Sequence, residues 1–533
     1  MEFLRTEKED EVLSEWPILH NGSYWDGTNL RKLVYEGKSP FKDVFDVDRL
    51  TRDLSKTAHS ALFDIIKVSG GANHYGFHIQ FLNGTEVVAR ISRGDSNDPK
   101  FANSVREKLL RWNIAFESAT YRVLTPLSRQ IGHLMFHRPG ATHASRDNPI
   151  HQGVAGRSLF IFHKAKGHKY EYPHWRALDH EKKRLLLKNF ACVAGNIFNL
   201  NLSHIYTSRW LLDRIFGQDH KLDLGKVEPT REFCIKLFNA RIHWILDEVK
   251  RKRPEVEEVC QSLEYSLLQL VPKLLPLESK KARRCSKGSK KGKKGDEGDK
   301  EKKGDEGDKV KDGDGEEDEK GEEGEEEVED DEVDNDQSED EGNKNDKEQK
   351  GDEDKKDGEG KKSEQDDKGS KGKQVKGTKG AKVTKRDPLY RFVLDHGDFG
   401  IHNSTIYQDQ EQRPNVTSIF DWETGRIVPA LLSEQKMIVT VDLILDQDGE
   451  PGISRWGDGD SEARMEEYMD WSQYYFGVLF SQAPSYHRIV REGREARRLW
   501  VALSYPKDVG RWLGGLSQWA SDLKEKMVDG VQE

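Results

Sequence analysis

The stretch Leu394-Asp395-His396-Gly397-Asp398-Phe399-Gly400-Ile401-His402-Asn403, followed by Ser418-Ile419-Phe420-Asp421-Trp422-Glu423, decides how this sequence is read. An apolar run, Phe392 to Leu394, stops at a His-Gly-Asp turn, and an Asn stands five residues after the Asp. A second run, Val416 to Phe420 with polar residues interleaved, ends in another Asp. The pattern predicts a strand, a polar loop and a second strand, presenting three oxygen-bearing side chains at one edge. Phosphoryl transfer from a nucleotide needs such a set: one carboxylate to orient and deprotonate an attacking hydroxyl, plus an amide and a carboxylate to hold Mg²⁺ on the phosphates. Asp398 suits the first role, and Asn403 and Asp421 the second.

Composition bounds the rest. The chain has 533 residues, 34% hydrophobic and 34% charged, too polar for a uniformly globular protein. Its excess charge sits in one place: Glu301 to Ser370 holds 34 acidic against 13 basic residues, a net of −21 in a chain whose total is −10. Basic flanks, Lys281–Lys300 and Lys371–Lys385, carry +6 each, which leaves the remainder near −1. The overall acidity therefore belongs to an insert and says nothing of the folded surface. Four scattered cysteines (Cys192, Cys234, Cys260, Cys285) show no CxxC spacing, which argues against a disulfide framework or a zinc site and suits a reducing compartment. The first ten residues contain no apolar leader core and too many acids for a mitochondrial presequence, and no run reaches the 18 or so apolar residues of a membrane span. A cytoplasmic location is expected. A nuclear one stays open, because Lys281–Lys294 resembles an import signal, although its place in a charged spacer favours coincidence.

Upstream of the catalytic-looking loop, residues 1–57 read as an aromatic N-terminal extension that packs on the first domain. Ile65 to Val68, a turn containing Gly70, Gly71 and Asn73, and the alternating Phe77-His78-Ile79-Gln80-Phe81 predict a hairpin. Asn83-Gly84 and a third strand, Thr85–Ile91, extend it into an antiparallel meander. A glycine-containing turn of this kind can lay backbone N–H groups over phosphates, though taken alone it fits an ordinary meander better. Phe101–Leu127 has helical periodicity, with Glu117 in its middle, and Leu159–Phe162 is a short buried-strand candidate. Long helices are predicted at Leu178–Leu200, Arg231–Val249 and Val256–Leu274, and again at Ala463–Phe480, His487–Leu503 and Val509–Met527, with the aromatic residues of 463–480 read as core. Sheet first and helices after indicate an α+β protein of two lobes. Residues 278–386, nearly free of apolar side chains and rich in Lys, Asp, Glu and Gly, are expected to be disordered, since they cannot bury enough surface to offset ordering entropy.

His396-Gly397-Asp398 with Asn403, then Ile419-Phe420-Asp421-Trp422-Glu423, resembles the signature pair of the aminoglycoside phosphotransferase and choline kinase superfamily, HGDxxxxN and (I/V)xDWE. More narrowly, the chain is similar to fungal proteins of the phosphotransferase enzyme family. The resemblance runs from about Asp64 to the C-terminus, outside the charged insert. It implies a bilobal protein-kinase-like fold: an N-lobe and hinge over 58–167, a helical C-lobe beginning at 168–277 and, after the insert, the catalytic loop, metal motif and last helices over 387–533. It implies Asp398 as catalytic base and Asn403 and Asp421 as Mg²⁺ ligands. Gly70, Gly71, Asn73 and Gly76 fall where the family has its phosphate-covering loop. Arg90 takes the place of the phosphate-binding lysine, and Glu117 that of its ion-pair partner. Phe162, His163 and Lys164 match the end of the hinge strand, whose backbone binds adenine. Arg in place of Lys is a departure, since a guanidinium is bulkier and bidentate. His163, where relatives usually show a carboxylate, is another, and bears on ribose or acceptor contacts. His396 is expected to be a structural hydrogen-bonding residue. Glu423 either braces the metal site or caps its loop.

The leading expectation is an ATP- and Mg²⁺-dependent kinase acting on the hydroxyl of a small molecule. The alternative is a nucleotide-binding but catalytically idle scaffold whose acidic insert engages a basic protein. A protein kinase proper fits less well, because no Ala-Pro-Glu segment follows Asp421 and the chain goes quickly to Pro429 and, by this reading, to new helices. Neither a membrane nor a nucleic acid is expected as a partner.

Overall fold

The computed structural model describes residues 16–19, 22–42, 44–71, 73–93, 103–139, 157–217, 220–278, 388–455, 461–504 and 508–529. The chain divides into two units, Met1–Lys290 with Thr384–Glu533, and Lys291–Val383. The second unit, and with it the expected disordered insert, lies outside the described residues. Two short helices, α1 (Leu30–Tyr35) and α2 (Val47–Ala58), precede a sheet of β1 (Leu62–Gly70), β2 (His74–Phe81), β3 (Glu86–Ser92), β4 (Leu134–Arg138) and β5 (Leu159–His163). The five strands run antiparallel in the order β1-β2-β3-β5-β4, and α3 (Asn103–Val123) lies between β3 and β4 in sequence.

Period-2 alternation decides what each face of this sheet does. Tyr75, Phe77, Ile79 and Phe81 of β2 and Val87, Ala89 and Ile91 of β3 turn to one side, where they bury against Trp25, Phe41, Phe45, Leu50 and Leu54 of the N-terminal segment. Arg90 therefore points to the other side, towards α3. In β5 the unbroken run Leu-Phe-Ile-Phe has a clear cause: Leu159 and Ile161 enter this N-terminal core, while Phe160 and Phe162 enter the second, larger core. A strand covered on both faces reads as continuously apolar.

The helical lobe begins with β6 (His168–Lys169), α4 (Tyr172–Arg176), α5 (His180–Asn199), α6 (His204–Phe216), α7 (Arg231–Lys252) and α8 (Glu257–Leu274). Asp179, Ser203 and Thr230 cap α5, α6 and α7 by accepting backbone N–H bonds. Beyond the undescribed stretch come β7 (Phe392–Asp395), β8 (Ser404–Gln408), β9 (Pro414–Ile419), β10 (Arg426–Pro429), β11 (Met437–Ile438), β12 (Asp442–Leu445) and β13 (Pro451–Ser454). The four helices α9 (Glu462–Gln482), α10 (Pro484–Glu492), α11 (Arg494–Ala502) and α12 (Val509–Asp529) complete the chain. This is the bilobal α+β architecture expected from the sequence, an antiparallel-sheet lobe and a helical lobe.

Two local expectations need correction. After Asp421 the chain does not pass straight into helices; four short strands, β10 to β13, come first. The single helix expected over His487–Leu503 is two, broken at Gly493, where a Cβ would press at 3.1 Å on both the Ile489 carbonyl oxygen and Leu431. Helix α6 was not anticipated at all. Cys192, Cys234 and Cys260 are free thiols, and no described helix is long and apolar enough to cross a membrane.

Candidate active site

Strand β7 ends at Asp395, whose buried carboxylate accepts hydrogen bonds from Ser433 Oγ (2.6 Å), Gln435 Nε2 (2.7 Å) and the Glu434 backbone N–H (3.0 Å). That anchor fixes the start of the loop, although burial pushes the Asp395 carboxyl up. Gly397 then turns the chain at φ +82°, in a space where a Cβ would stand 2.4 Å from the Thr424 carbonyl oxygen, so only glycine makes this turn without strain. His396 Nε2–H donates to the Phe420 carbonyl at 2.9 Å, leaving Nδ1 to accept weakly from the Asp398 N–H at 3.4 Å. Burial holds the His396 ring neutral, which is consistent with one donor and one acceptor nitrogen. Its ring also packs on fully buried Trp422, centroids 4.4 Å apart. His396 thus ties the loop after β7 to the loop after β9.

Asp398 stands beyond this turn, 44% exposed. Asn403 Nδ2 donates both to the Asp398 carbonyl and to its Oδ2, each at 3.0 Å. Two acceptors facing one end of the amide fix its orientation, so Asn403 Oδ1 is left on the other side. The Asn403 carbonyl accepts from the Phe420 N–H at 3.0 Å, which brings Asp421 alongside. Asp421 adopts the left-handed conformation, φ 70° and ψ 56°, one that Asp tolerates better than most residues and that recurs at functional loops. Its carboxylate is 37% exposed and lies 3.7 Å from Arg90 Nη2.

Arg90 bridges to the sheet lobe. Its Nη1 meets Oε1 of Glu117, which is fully buried, at 2.8 Å, and its Nη2 sits 3.3 Å from His74 Nδ1. Burial works against the guanidinium charge, but Glu117 and Asp421 more than offset it and hold its pKa above the ordinary value. Burial pushes the Glu117 carboxyl up, opposed by Arg90, and burial with the Arg90 charge keeps His74 neutral. Asn73, at the tip of the β1–β2 turn, donates from Nδ2 to Glu423 Oε1 at 3.2 Å. Burial, then the carboxylates of Asp421 and Glu117, push the Glu423 carboxyl up.

These contacts join Asp398, Asn403, Asp421, Arg90, Glu117, Asn73, Glu423 and His396 into one connected site. Of the remaining candidates, Gly70 packs under Trp16, whose ring a Cβ would meet at 2.9 Å, and Gly76 lies opposite Arg90 in the β2–β3 register. The Gly71 carbonyl accepts from Arg93 Nη1 at 2.9 Å. Phe162 packs on Tyr121 in the core, His163 stacks on His133 with centroids 4.9 Å apart, and Lys164 pairs with Glu86 at 2.9 Å. The side chains of His163 and Lys164 thus have partners of their own and are not drawn into the Asp398–Arg90 network.

Three contributors went unread in the sequence. Arg214 of α6 donates from Nε to the Gly425 carbonyl (2.8 Å), from Nη2 to the Glu423 carbonyl (2.6 Å) and from Nη1 to Asn113 Oδ1 of α3 (2.8 Å). Its guanidinium lies over Phe116 and Trp112, 4.3 and 4.5 Å from the ring centroids. It staples the helix that carries Glu117 to the loop that carries Asp421. His74 and His402 are the others. Only His402 left a trace in the sequence, its four-residue spacing from Asp398.

A divalent cation fits this donor set. Asn403 Oδ1 and the Asp421 carboxylate are hard oxygens on adjacent loops, and Glu117 and Asp421 outnumber Arg90, so the cleft carries uncompensated negative charge. Among the described residues no group of three or more His, Cys, Asp or Glu side chains makes a metal cage. Mg²⁺, which binds through one or two protein oxygens together with substrate phosphates, suits such a site.

No family model and no curated protein matches the chain. Among solved structures it is similar to the streptomycin–ATP ternary complex of APH(2″)-IIa, at 10% identity over 88% of this chain and 95% of that one, TM-score 0.35. It is also similar to ADP-bound aminoglycoside phosphotransferase APH(2″)-Ib, at 10% identity over 89% and 96%, TM-score 0.34. A third is macrolide 2′-phosphotransferase MphH from Brachybacterium faecium, at 10% identity over 90% and 96%, TM-score 0.28. At these TM-scores the likeness carries no weight, and the site is read from its own geometry.

Proposed function

We propose that the protein is an ATP-dependent phosphotransferase that transfers the γ-phosphoryl group to a hydroxyl of a small molecule. The observation that carries this reading is the unbroken run of contacts from Asp398 through Asn403 and Phe420 to Asp421, and from there through Arg90 to Glu117. In the reaction the acceptor oxygen forms a bond to the γ-phosphorus while the bond from that phosphorus to the β–γ bridging oxygen breaks, and ADP leaves. The hydroxyl proton passes to Asp398 and on to solvent. Although burial works the other way, the hydrogen bond from His402, with help from the one from Asn403, holds Asp398 down at about 2. Asp398 is therefore an ionised anchor that orients the hydroxyl more than a strong base, which suits a loose transition state where the proton leaves late. Arg90, held by Glu117, would face the phosphates, and the turn at Gly70–Asn73 would cover them. Asn403 Oδ1 and Asp421 would hold Mg²⁺, which when bound neutralises phosphate charge.

An idle nucleotide-binding scaffold has no need of an exposed carboxylate held this firmly beside the metal-ligand candidates. The reading is tested by titrating thermal stability with ATP, with and without Mg²⁺, in the wild type and in Asp421→Asn. The expected result is Mg²⁺-dependent stabilisation in the wild type, with an apparent Kd at least tenfold weaker in the variant. Equal Mg²⁺-dependent shifts in both would overturn the assignment of Asp421.

A further inference from the structure

We propose that His402 is a positioning residue for the transfer reaction: it fixes which oxygen of Asp398 faces the acceptor. The inference rests on the reading of Asp398 above and adds to it a residue outside the signature pair.

His402 Nε2 lies 3.0 Å from Asp398 Oδ2. A carboxylate can only accept, so Nε2 carries the hydrogen. Asn403 Nδ2 donates to the same oxygen at 3.0 Å. Among the described residues no group donates to Oδ1. One oxygen of Asp398 is therefore held by two donors on adjacent residues, and the other is free for an incoming hydroxyl. With Asn403 alone, the carboxylate can rotate about χ2 and exchange its two oxygens. A second donor to the same oxygen opposes that exchange, and orientation of this kind is what transfer depends on.

The fold makes room for the imidazole at some cost. A Cβ on Gly400 would stand 2.7 Å from His402 Cε1 and 2.8 Å from the Ile438 carbonyl oxygen, so any side chain there would push the ring off Asp398. Tyr172 of α4 flanks the ring, centroids 6.4 Å apart. His402 Nδ1 is buried and has no hydrogen-bond partner. A bare buried acceptor is destabilising, so the ring is not kept at this place for its own hydrogen bonding. What it gains is the single bond to Asp398.

The test compares wild type, His402→Leu and His402→Gln in steady-state ATP turnover, with Asp398→Asn as reference, and reads kcat and KM for ATP separately. Leu removes the donor, whereas the Gln amide can reach the Nε2 position. The expected result is a 10- to 50-fold fall in kcat for His402→Leu with KM for ATP within twofold of wild type, and recovery of most of that loss in His402→Gln. Unchanged kcat in His402→Leu would overturn the proposal, as would a parallel change in KM or a Gln variant no better than Leu. Long-range ¹H–¹⁵N spectra of the His402 ring provide a readout independent of turnover. The Nε2–H tautomer is expected, with the Nε2 resonance moving in Asp398→Asn. If the wild type shows no turnover but this signature is present, the functional reading has failed and the placement of His402 stands; if the Nδ1–H tautomer is found, the placement itself is wrong.

Discussion

Replacing Arg214 by Met tests whether the two halves of the site are held together as described. The substitution keeps length and apolar bulk but removes every donor. It leaves the carbonyls of Gly425 and Glu423 without their partners and Asn113 Oδ1 without its bond. A buried carbonyl stripped of its donor costs about 1–3 kcal/mol. Exposed Thr424 between the two lets water reach part of the turn, so about 1–2 kcal/mol apiece is the fitting range. Loss of the guanidinium from the faces of Phe116 and Trp112 adds roughly 1 kcal/mol, for about 3–5 kcal/mol altogether. Burial already depresses the Arg214 pKa to about 10, so the side chain is kept for its bonds and not for easy ionisation. Urea unfolding followed by tryptophan fluorescence measures the loss, and MgATP titration measures its effect on the site. Arg214→Lys restores one bond and is expected to recover less than half of the loss. The reasoning is refuted if Arg214→Met costs less than about 1 kcal/mol, or if it is destabilised with nucleotide affinity unchanged, because the staple joins the helix of Glu117 to the loop of Asp421.

Glu117→Gln keeps a hydrogen bond to Arg90 but removes the charge beneath it. Unfolding in urea should show a loss of roughly 1–3 kcal/mol, smaller than full removal of a buried partner, with weaker MgATP binding by titration; unchanged affinity would detach Glu117 from the phosphate site. His74 and His396 are both buried and neutral, with pKa values lowered from the usual 6.5. The unfolded chain takes up their protons first, so their contribution is complete above pH 6.5 and is lost as pH falls towards the folded values. Stability measured from pH 7 to pH 5 should therefore decline, and more shallowly in His74→Gln; parallel slopes would contradict the burial argument. Excision of Lys281–Lys385 behind a short linker should leave unfolding and any ATP turnover within twofold. The two flanks already meet, with Leu275 and Leu389 in one core and the Tyr390 hydroxyl donating to the Pro276 carbonyl. A collapse of turnover on excision would give the insert a part in the site.

How far the sequence could be read follows from the range over which each signal acts. The His-Gly-Asp turn, Asn403 and Asp421 share two adjacent loops, so their spacing carries their geometry. Arg90 and Glu117 are 27 residues apart in sequence, yet strand alternation and helical periodicity leave each only one face on which to lie. Strands β10 to β13 escaped notice because each is only two to four residues long, too short for a period to show. Arg214 could not be found from the sequence. Nothing distinguishes an arginine facing solvent on an amphipathic helix from one pointing inwards, until α3 and the loop after β9 arrive beside it from elsewhere in the chain. Phe162 and His163 close β5, and the side chains of Phe162, His163 and Lys164 have other partners, so the nucleotide contact proposed there is left to the backbone.

The most direct measurement is ATP consumption across a panel of hydroxyl-bearing metabolites, with wild type and Asp398→Asn compared at equal, verified nucleotide occupancy. Turnover in the wild type on at least one acceptor is expected, falling at least 100-fold in the variant while its affinity for MgATP stays within threefold. Turnover in Asp398→Asn at the wild-type rate would mean that this carboxylate does not orient the attacking hydroxyl.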